Sequence, residues 1–183
     1  MKEMTSGTKL LLGGAAIMWL IEIVNLFINH QLSHYGIVPR EVSGLIGIVL
    51  APFLHWSLPH LIGNTIPFVI LGFLVLQTKQ LVFVSLVVGL GGGLLVWLFA
   101  RDAAHAGASG LIMGYFGFLI SHGFFTRSIR SILISVVAVI FYGGIVFSLL
   151  DFRSHISFEG HIFGFIAGVA AAWQLGRSKK QSS

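Results

Sequence analysis

Four polar residues stand inside long apolar stretches of this chain, where a polar side chain is costly unless it has a partner or a function. They are His60 and Asn64, Ser109 within Gly-Ala-Ser-Gly, and His161. A serine hydroxyl becomes a strong nucleophile when an adjacent base takes its proton, and histidine is the usual base. His60 and Asn64 are four residues apart, so they share one helix face. These residue types suit acyl transfer if the fold brings them together.

Glycines follow the serine and the last histidine at a spacing that favours close contact between membrane helices. Gly110/Gly114 and Gly164/Gly168 are both small-xxx-small pairs, which let two helix backbones approach each other. If these two faces meet, the serine and the histidine come within hydrogen-bonding reach. The start of a membrane helix also presents free N–H groups and a positive dipole end, which suit an oxyanion.

The composition predicts that these residues are positioned by membrane helices. Of the 183 residues, 56% are hydrophobic and 9% charged, against roughly 25% charged in soluble domains, and the mean hydropathy is +0.94. Six helices of about 20 residues would use about 120 positions and leave no room for a soluble domain. The chain has no cysteine, which excludes disulfides, thiolate catalysis and zinc–thiolate sites.

Six apolar stretches are predicted to span the bilayer, at residues 10–28, 55–76, 81–100, 107–123, 129–150 and 157–175. The first could pass for a signal peptide, but no cleavage site follows it, so we expect a retained anchor. The stretch 42–54 is too short to cross and favours an interfacial or re-entrant segment. The predicted domains are a cytoplasmic tail at 1–9, a six-helix domain at 10–176 and a cytoplasmic tail at 177–183 that we expect to be disordered.

The basic residues predict the orientation, because they concentrate in cytoplasmic loops. With both termini inside, the cytoplasmic set is Lys2, Lys9, Lys79, Arg127, Arg130, Arg177, Lys179 and Lys180, against Arg40, Arg101 and Arg153 outside. The second, fourth and sixth spans then enter from outside, and each places its unusual polar residues just below the outer surface. The sequence therefore predicts a polar site at that depth, and no nucleic-acid surface.

These residues resemble the rhomboid family of intramembrane serine proteases. His55, His60 and Asn64 fit its H-x4-H-x3-N pattern, residues 107–110 fit its G-x-S-G motif, and residues 161–168 fit its last catalytic helix, H-x2-G-x3-G. The resemblance covers about residues 36–175. It implies a six-helix bundle in which the first outer loop, with residues 42–54, is partly inserted.

For the site, the resemblance implies a Ser109–His161 dyad, with the Ser109 backbone N–H and the side chains of His60 and Asn64 forming the oxyanion hole. Supporting residues are His55, Gly107, Gly110, Met113 and Gly164. Met113 stands where many members carry an aromatic residue, and the first loop lacks the Trp-Arg pair of some bacterial members. Glu159 is two residues before His161 and points to another face, so a dyad is favoured over a triad.

Several of these residues also have a structural interpretation. Ser109 could ease helix packing, His161 could be an interfacial histidine bonded to loop carbonyls, and His60 and Asn64 could join helices. His55 could bond the first loop or support the site. We further expect His105 to be solvated in an outer loop, and Glu22 with Asn25 to form a hydrogen-bonded structural pair.

The leading functional hypothesis is a serine endopeptidase that cleaves transmembrane segments of single-span or multi-span membrane proteins near the outer face. An alternative is a catalytically inactive rhomboid-like protein that binds membrane proteins, and another is a small histidine-lined transporter. No cofactor or metal is expected, since H-E-x-x-H is absent. We expect a multi-pass protein of a bacterial inner membrane, with N-in and C-in topology.

Overall fold

The computed structural model describes residues 4–150 and 156–181, and within these ranges the chain is helical and has no β-strand. Four helices are long and apolar enough to cross a membrane, at Ser6–Phe27, Leu58–Gln77, Leu81–Phe99 and Ile129–Leu150. The other two predicted spans form the less apolar helices Ser109–Thr126 and Phe158–Gln181. The predicted fold class, an all-α membrane bundle, is confirmed.

The helices are α1 Ser6–Phe27, α2 Gly47–Leu50, α3 Leu58–Gln77, α4 Leu81–Leu86, α5 Gly93–Phe99, α6 Ser109–Thr126, α7 Ile129–Tyr142 and α8 Phe158–Gln181. A π-helical segment, Val87–Gly92, joins α4 to α5, and a 3₁₀ segment, Gly143–Leu150, follows α7. Short 3₁₀ turns cover Gln31–Tyr35, Val42–Leu45 and Ala51–Phe53.

The connections between the long helices fall at two ends of the bundle. What we call the site end holds residues 28–57, residues 100–108 and the start of α8. The far end holds the connections at 78–80 and 127–128, the start of α1 and the end of α8. The expected disorder from residue 177 onward is wrong as far as Gln181, because α8 continues through these positions. Arginine, lysine and glutamine are good helix formers, and no proline follows to stop the helix.

Helix α6 lies at the centre of the bundle. All eight residues from Ile112 to Leu119 are buried, so this helix is covered by protein on every side. In contrast, α7 buries only Ser131 and Ala138. A central helix that begins at Ser109 holds the candidate nucleophile on the most enclosed element of the fold.

The first loop packs against α5 at the site end. Ile37, Ala51, Val96 and Ala100 form a small core between the loop and this helix. The Trp97 indole N–H donates to the carbonyl oxygen of Glu41 at 2.8 Å. These contacts fix the loop beside the cavity described below.

The predicted third span contains a π-helical segment that the periodicity did not indicate. Its sequence, Val-Val-Gly-Leu-Gly-Gly, is rich in glycine. A Cβ at Gly92 would lie 3.4 Å from the Gly164 Cα and the Phe163 carbonyl oxygen, so a small residue is needed for this approach. Single π turns often occur near functional sites, and this one supports α8 close behind His161.

Candidate active site

A cavity of about 1090 Å³ opens at the site end, between α3, α6, α8 and the segment that follows α7. Its lining includes the four polar residues that the sequence singles out, together with Met113: His60, Asn64, Ser109, Met113 and His161. Residues that are far apart in sequence therefore face one space.

Ser109 is the first residue of α6 and is half-buried. The first intrahelical bond of α6 runs from the Ile112 N–H to the Ala108 carbonyl at 3.0 Å. The N–H groups at the start of the helix therefore have no intrahelical acceptor. The Ser109 hydroxyl makes no hydrogen bond with another described residue, including His161.

Gly107 brings the serine loop against α3. It has φ +126, a conformation that favours glycine, and a Cβ at this position would lie 2.9 Å from His60 Nε2 and 3.4 Å from Asn64 Nδ2. The Gly107 N–H donates to the Ala51 carbonyl at 2.8 Å. Glycine is thus required here both by the backbone and by the space that His60 and Asn64 occupy.

His60 and Asn64 lie one turn apart at the start of α3. Ser57 caps this helix by accepting a hydrogen bond from the His60 N–H at 3.3 Å, and Pro59 occupies the first turn, where its missing N–H costs little. The Asn64 side chain is buried, and its amide nitrogen has no hydrogen-bond partner among the described residues. A buried amide N–H without an acceptor is costly, and here it lies next to the serine loop.

His161 is buried on the first turns of α8. Its Nδ1 lies 3.0 Å from the Ser148 carbonyl oxygen. Because a carbonyl only accepts, this bond places the hydrogen on Nδ1 and the lone pair on Nε2. The Ser148 carbonyl orients the imidazole as a carboxylate would in a triad. The sequence analysis missed this role, because it belongs to backbone in a 3₁₀ segment that was predicted as regular helix.

Helices α6 and α8 meet along their two glycine faces. A Cβ on Gly164 would collide with the Gly110 carbonyl oxygen, and one on Gly168 would collide with the Gly114 carbonyl oxygen. The backbones are therefore in direct contact. This contact places the start of α6 beside the start of α8, where Ser109 and His161 lie.

Met113 is buried one turn after Ser109. Its sulfur lies 3.5 Å from the Ser148 hydroxyl. The thioether therefore contacts the same segment that orients His161, in the position where many family members are expected to carry an aromatic ring.

His55 has features of both interpretations given above. It is fully buried, and its backbone carbonyl accepts hydrogen bonds from Asn25 Nδ2 at 3.1 Å and Ser33 Oγ at 2.5 Å. Its ring packs edge-on against the His60 ring, with 5.1 Å between centroids. The backbone of His55 thus ties the first loop to α1, while its ring supports His60.

The expectation that His105 is solvated is wrong. It is buried, and its backbone forms an antiparallel bridge with Ile37 of the first loop. Its Nδ1 lies 2.7 Å from Ser157 Oγ, and its Nε2 lies 3.1 Å from the Arg101 carbonyl oxygen. Burial lowers the pKa of His105, and the Arg101 carbonyl and Glu159 partly oppose that shift.

Glu159 interacts with Arg101 at the start of α8. Its Oε1 lies 3.5 Å from Arg101 Nε and accepts a hydrogen bond from the Arg101 backbone N–H at 3.3 Å. The Arg101 guanidinium also donates to the Ile156 carbonyl. The carboxylate therefore ties the connection before α6 to α8. Within the described ranges, no three histidine, aspartate or glutamate side chains are grouped to hold a metal ion.

The fold and this cavity define an all-helical membrane protein with a polar site near one end of the bundle. Residues 42–178 match the model of the Rhomboid domain, and the chain belongs to the rhomboid family. An uncharacterized protein of Mycobacterium tuberculosis (strain H37Rv) is 34% identical over 178 aligned residues, covering 91% of this chain and 74% of the relative. An uncharacterized protein of Mycobacterium leprae (strain TN) is 32% identical, covering 91% and 70%.

Proposed function

We propose that this protein is an intramembrane serine endopeptidase that cleaves transmembrane segments of other membrane proteins. The observation that carries the proposal is the position of Gly107, which holds the Ser109 loop directly against His60 and the unpartnered amide of Asn64. Membership of the rhomboid family, whose members are generally intramembrane serine proteases, supports the same activity.

Acylation begins when His161 Nε2 takes the proton of the Ser109 hydroxyl and Oγ attacks the substrate carbonyl carbon. The resulting oxyanion accepts hydrogen bonds from the Ser109 backbone N–H, the Asn64 amide and His60. As the intermediate collapses, the C–N bond breaks and His161 returns the proton to the leaving amine. The Ser109–His161 hydrogen bond forms as substrate binds, since catalytic bonds are often long in the free enzyme.

Deacylation repeats these steps with water as the nucleophile. His161 removes a proton from the water, the resulting hydroxide attacks the acyl ester, and Ser109 leaves as the alcohol when His161 returns the proton. The open cavity and its polar lining, including Ser157 and His60, support access of water to this depth. A substrate helix must unwind locally to expose its carbonyl, so we expect small or helix-weakening residues near the cleaved bond.

The position of the site supports cleavage near the extracytoplasmic face. Lys9, Lys79, Arg127, Arg130 and Arg177 all belong to the far end of the bundle. Basic residues concentrate on the cytoplasmic side, so we propose an N-in, C-in topology in a bacterial inner membrane, with the cavity facing outward.

An inactive membrane-protein binder is the second candidate. It is favoured by one observation, that the Ser109 hydroxyl lacks a hydrogen-bond partner among the described residues. A histidine-lined transporter is not favoured, because the cavity opens at the site end and the bundle towards the far end is filled by apolar side chains such as Leu71, Val75 and Leu119.

The test is cleavage of a single-span model substrate by purified protein in proteoliposomes. We expect Ser109→Ala to abolish cleavage and to abolish labelling by a serine-directed fluorophosphonate, because both reactions need the nucleophile. Ser43→Ala is the matched control, since Ser43 is an exposed serine at the same end and outside the cavity lining. Equal cleavage by wild type and Ser109→Ala would refute the proposal, and substrate binding without labelling would favour the inactive binder.

A further inference from the structure

The arginines at the two ends of the bundle differ in their counter-charges. At the site end, Arg40 and Arg101 each lie beside a carboxylate. At the far end, neither Arg127 nor Arg177 is within ion-pair distance of any carboxylate that the structure describes. Both far-end arginines are exposed, so their guanidinium groups are accessible to an anion from outside the described chain.

The described carboxylates are all remote from the far end. They are Glu22 in the second half of α1, Glu41 in the first loop, Asp102 before α6 and Glu159 at the start of α8. At the far end, Lys9, Lys79 and Arg130 add further positive charge at exposed positions. This end therefore presents a positive surface whose natural complement is anionic.

Arg127 and Arg177 line one groove, although they are fifty positions apart in the sequence. The groove has a volume of about 210 Å³ and is lined by Phe124, Phe125, Arg127, Trp173, Gly176 and Arg177. A Cβ at Gly176 would lie 2.8 Å from Phe125 Cβ, so this glycine lets the end of α8 approach the end of α6. The two arginines thus line one groove together with three aromatic residues.

The geometry of each arginine favours an anion in this groove. The Arg177 guanidinium carbon lies 4.6 Å from the centre of the Trp173 ring, a cation–π contact that holds the guanidinium plane on the aromatic face. Arg127 caps α6 with φ +50, a left-handed conformation in which glycine is the usual residue. The residue at this position in the groove lining is instead a cation.

We propose that this groove binds the headgroup of an anionic phospholipid. Guanidinium groups bind phosphate oxygens through paired, charge-assisted N–H donors. Phe124 is 69% exposed and Trp173 47% exposed, so apolar surface for acyl chains lies directly beside the cations. Basic pockets between membrane helices recognise lipid headgroups in this way. This site is separate from the cavity and does not depend on proteolytic activity.

The test is native mass spectrometry of the full chain in detergent, titrated with phosphatidylglycerol or with phosphatidylcholine of the same acyl chains. We expect phosphatidylglycerol to bind more tightly. The double variant Arg127→Gln/Arg177→Gln should weaken its affinity by roughly 30-fold, and each single variant by about fivefold. The double variant Arg127→Lys/Arg177→Lys should recover much of the affinity, which shows that a loss comes from charge and not from misfolding.

Arg130→Gln is the matched control, because Arg130 is an exposed arginine at the same end but outside the groove. It should change the affinity less than either single groove variant. An equal loss in Arg130→Gln would overturn the proposal in favour of a diffuse surface charge, and equal binding of phosphatidylcholine would overturn the anionic preference. Displacement of the lipid by equimolar glycerol 3-phosphate would show that the groove takes a small soluble phosphate instead.

Discussion

Two buried asparagines near the site end differ in the hydrogen bonding of their side chains. Asn25 is satisfied on every side: its Nδ2 donates to Ser33 Oγ at 3.0 Å and to the His55 carbonyl at 3.1 Å, and its Oδ1 accepts from the Leu32 N–H at 2.9 Å. Asn64 is also buried, yet its amide nitrogen has no partner among the described residues.

This difference separates a structural cluster from a candidate site. The cluster around Asn25 joins α1 to the first loop, and it includes Glu22, whose Oε1 lies 3.5 Å from His30 Nδ1. This fits the structural role predicted for Glu22 and Asn25. Asn64 instead faces the cavity that Ser109 and His161 line. A buried donor that is left unpaired costs stability, and the Asn64 amide faces a cavity in which a ligand or a reacting atom can accept its hydrogen bond.

The largest effect we expect is a loss of turnover when Asn64 is replaced in Asn64→Ala. Loss of one oxyanion donor lowers kcat by roughly 10²–10³-fold, with a smaller change in KM. The melting temperature should not fall below the wild-type value, because the substitution removes no hydrogen bond of the amide nitrogen and takes away a buried donor that has no partner. Both quantities can be measured on one preparation, by substrate cleavage and by thermal unfolding in detergent.

Asn25→Ala is the matched control and should behave in the opposite way. It leaves the Leu32 N–H without its acceptor and removes two bonds to the first loop, at a cost of about 1–3 kcal/mol. The melting temperature should fall by several degrees, while turnover per folded molecule changes little. If Asn64→Ala lowered the melting temperature as much as Asn25→Ala, Asn64 would be a structural residue like Asn25.

A smaller effect on turnover should follow from separating α6 and α8 next to the cavity, because this contact sets the position of His161 relative to Ser109. A Cβ in Gly164→Ala meets the Gly110 carbonyl oxygen directly, so the start of α8 must shift relative to Ser109. A misplacement of about 1 Å costs up to roughly 100-fold in rate. We expect cleavage to fall between roughly tenfold and 100-fold, with fluorophosphonate labelling reduced in parallel.

Gly144→Ala provides the control for this prediction. Gly144 lies in the 3₁₀ segment beside the cavity wall, and a Cβ there meets no atom within 4 Å. Gly144→Ala therefore reduces backbone freedom as Gly164→Ala does, but the added Cβ collides with no other atom. Equal losses in the two variants would mean that general backbone stiffness, and not the α6–α8 contact, limits the activity.

The sequence alone predicted the parts of this structure that are coded by periodicity and by side-chain type. Apolar stretches of spanning length located the helices, and polar residues within them identified His60, Asn64, Ser109 and His161, which the fold brings to one cavity. The two small-xxx-small pairs indicated the face along which α6 and α8 meet.

The missed features depend on backbone geometry and tertiary contacts, which side-chain patterns do not reveal. The Ser148 carbonyl can orient His161 only because α7 gives way to a 3₁₀ segment at Gly143. His105 is buried only because its connection pairs with Ile37, some seventy residues earlier in the sequence. Neither local propensity nor spacing contains that information.

The smallest predicted effect concerns His105. This residue lines the cavity, as Asn64 does, but both of its ring nitrogens are hydrogen-bonded, as the side chain of Asn25 is. Because a carbonyl only accepts, Nε2 donates to the Arg101 carbonyl, and in the neutral ring Nδ1 accepts from the Ser157 hydroxyl. Protonation would turn Nδ1 into a donor, so the Ser157 hydroxyl would have to change from donor to acceptor. It would also place a positive charge on a buried ring.

Burial lowers the pKa of His105 from its ordinary 6.5, so the unfolded chain binds this proton more readily than the folded one. Its contribution to stability is therefore complete above about pH 6.5 and is lost as the pH falls through the lower folded value. Between about pH 7.5 and about pH 5, the melting temperature of the wild type should fall more than that of His105→Gln, which cannot titrate. His34→Gln, at an exposed histidine of the same end, should follow the wild type. If the melting temperatures of wild type and His105→Gln changed with pH in parallel, the fold would accommodate a charged ring at this position. His105 would then resemble Asn64, whose side chain faces the cavity, more than Asn25.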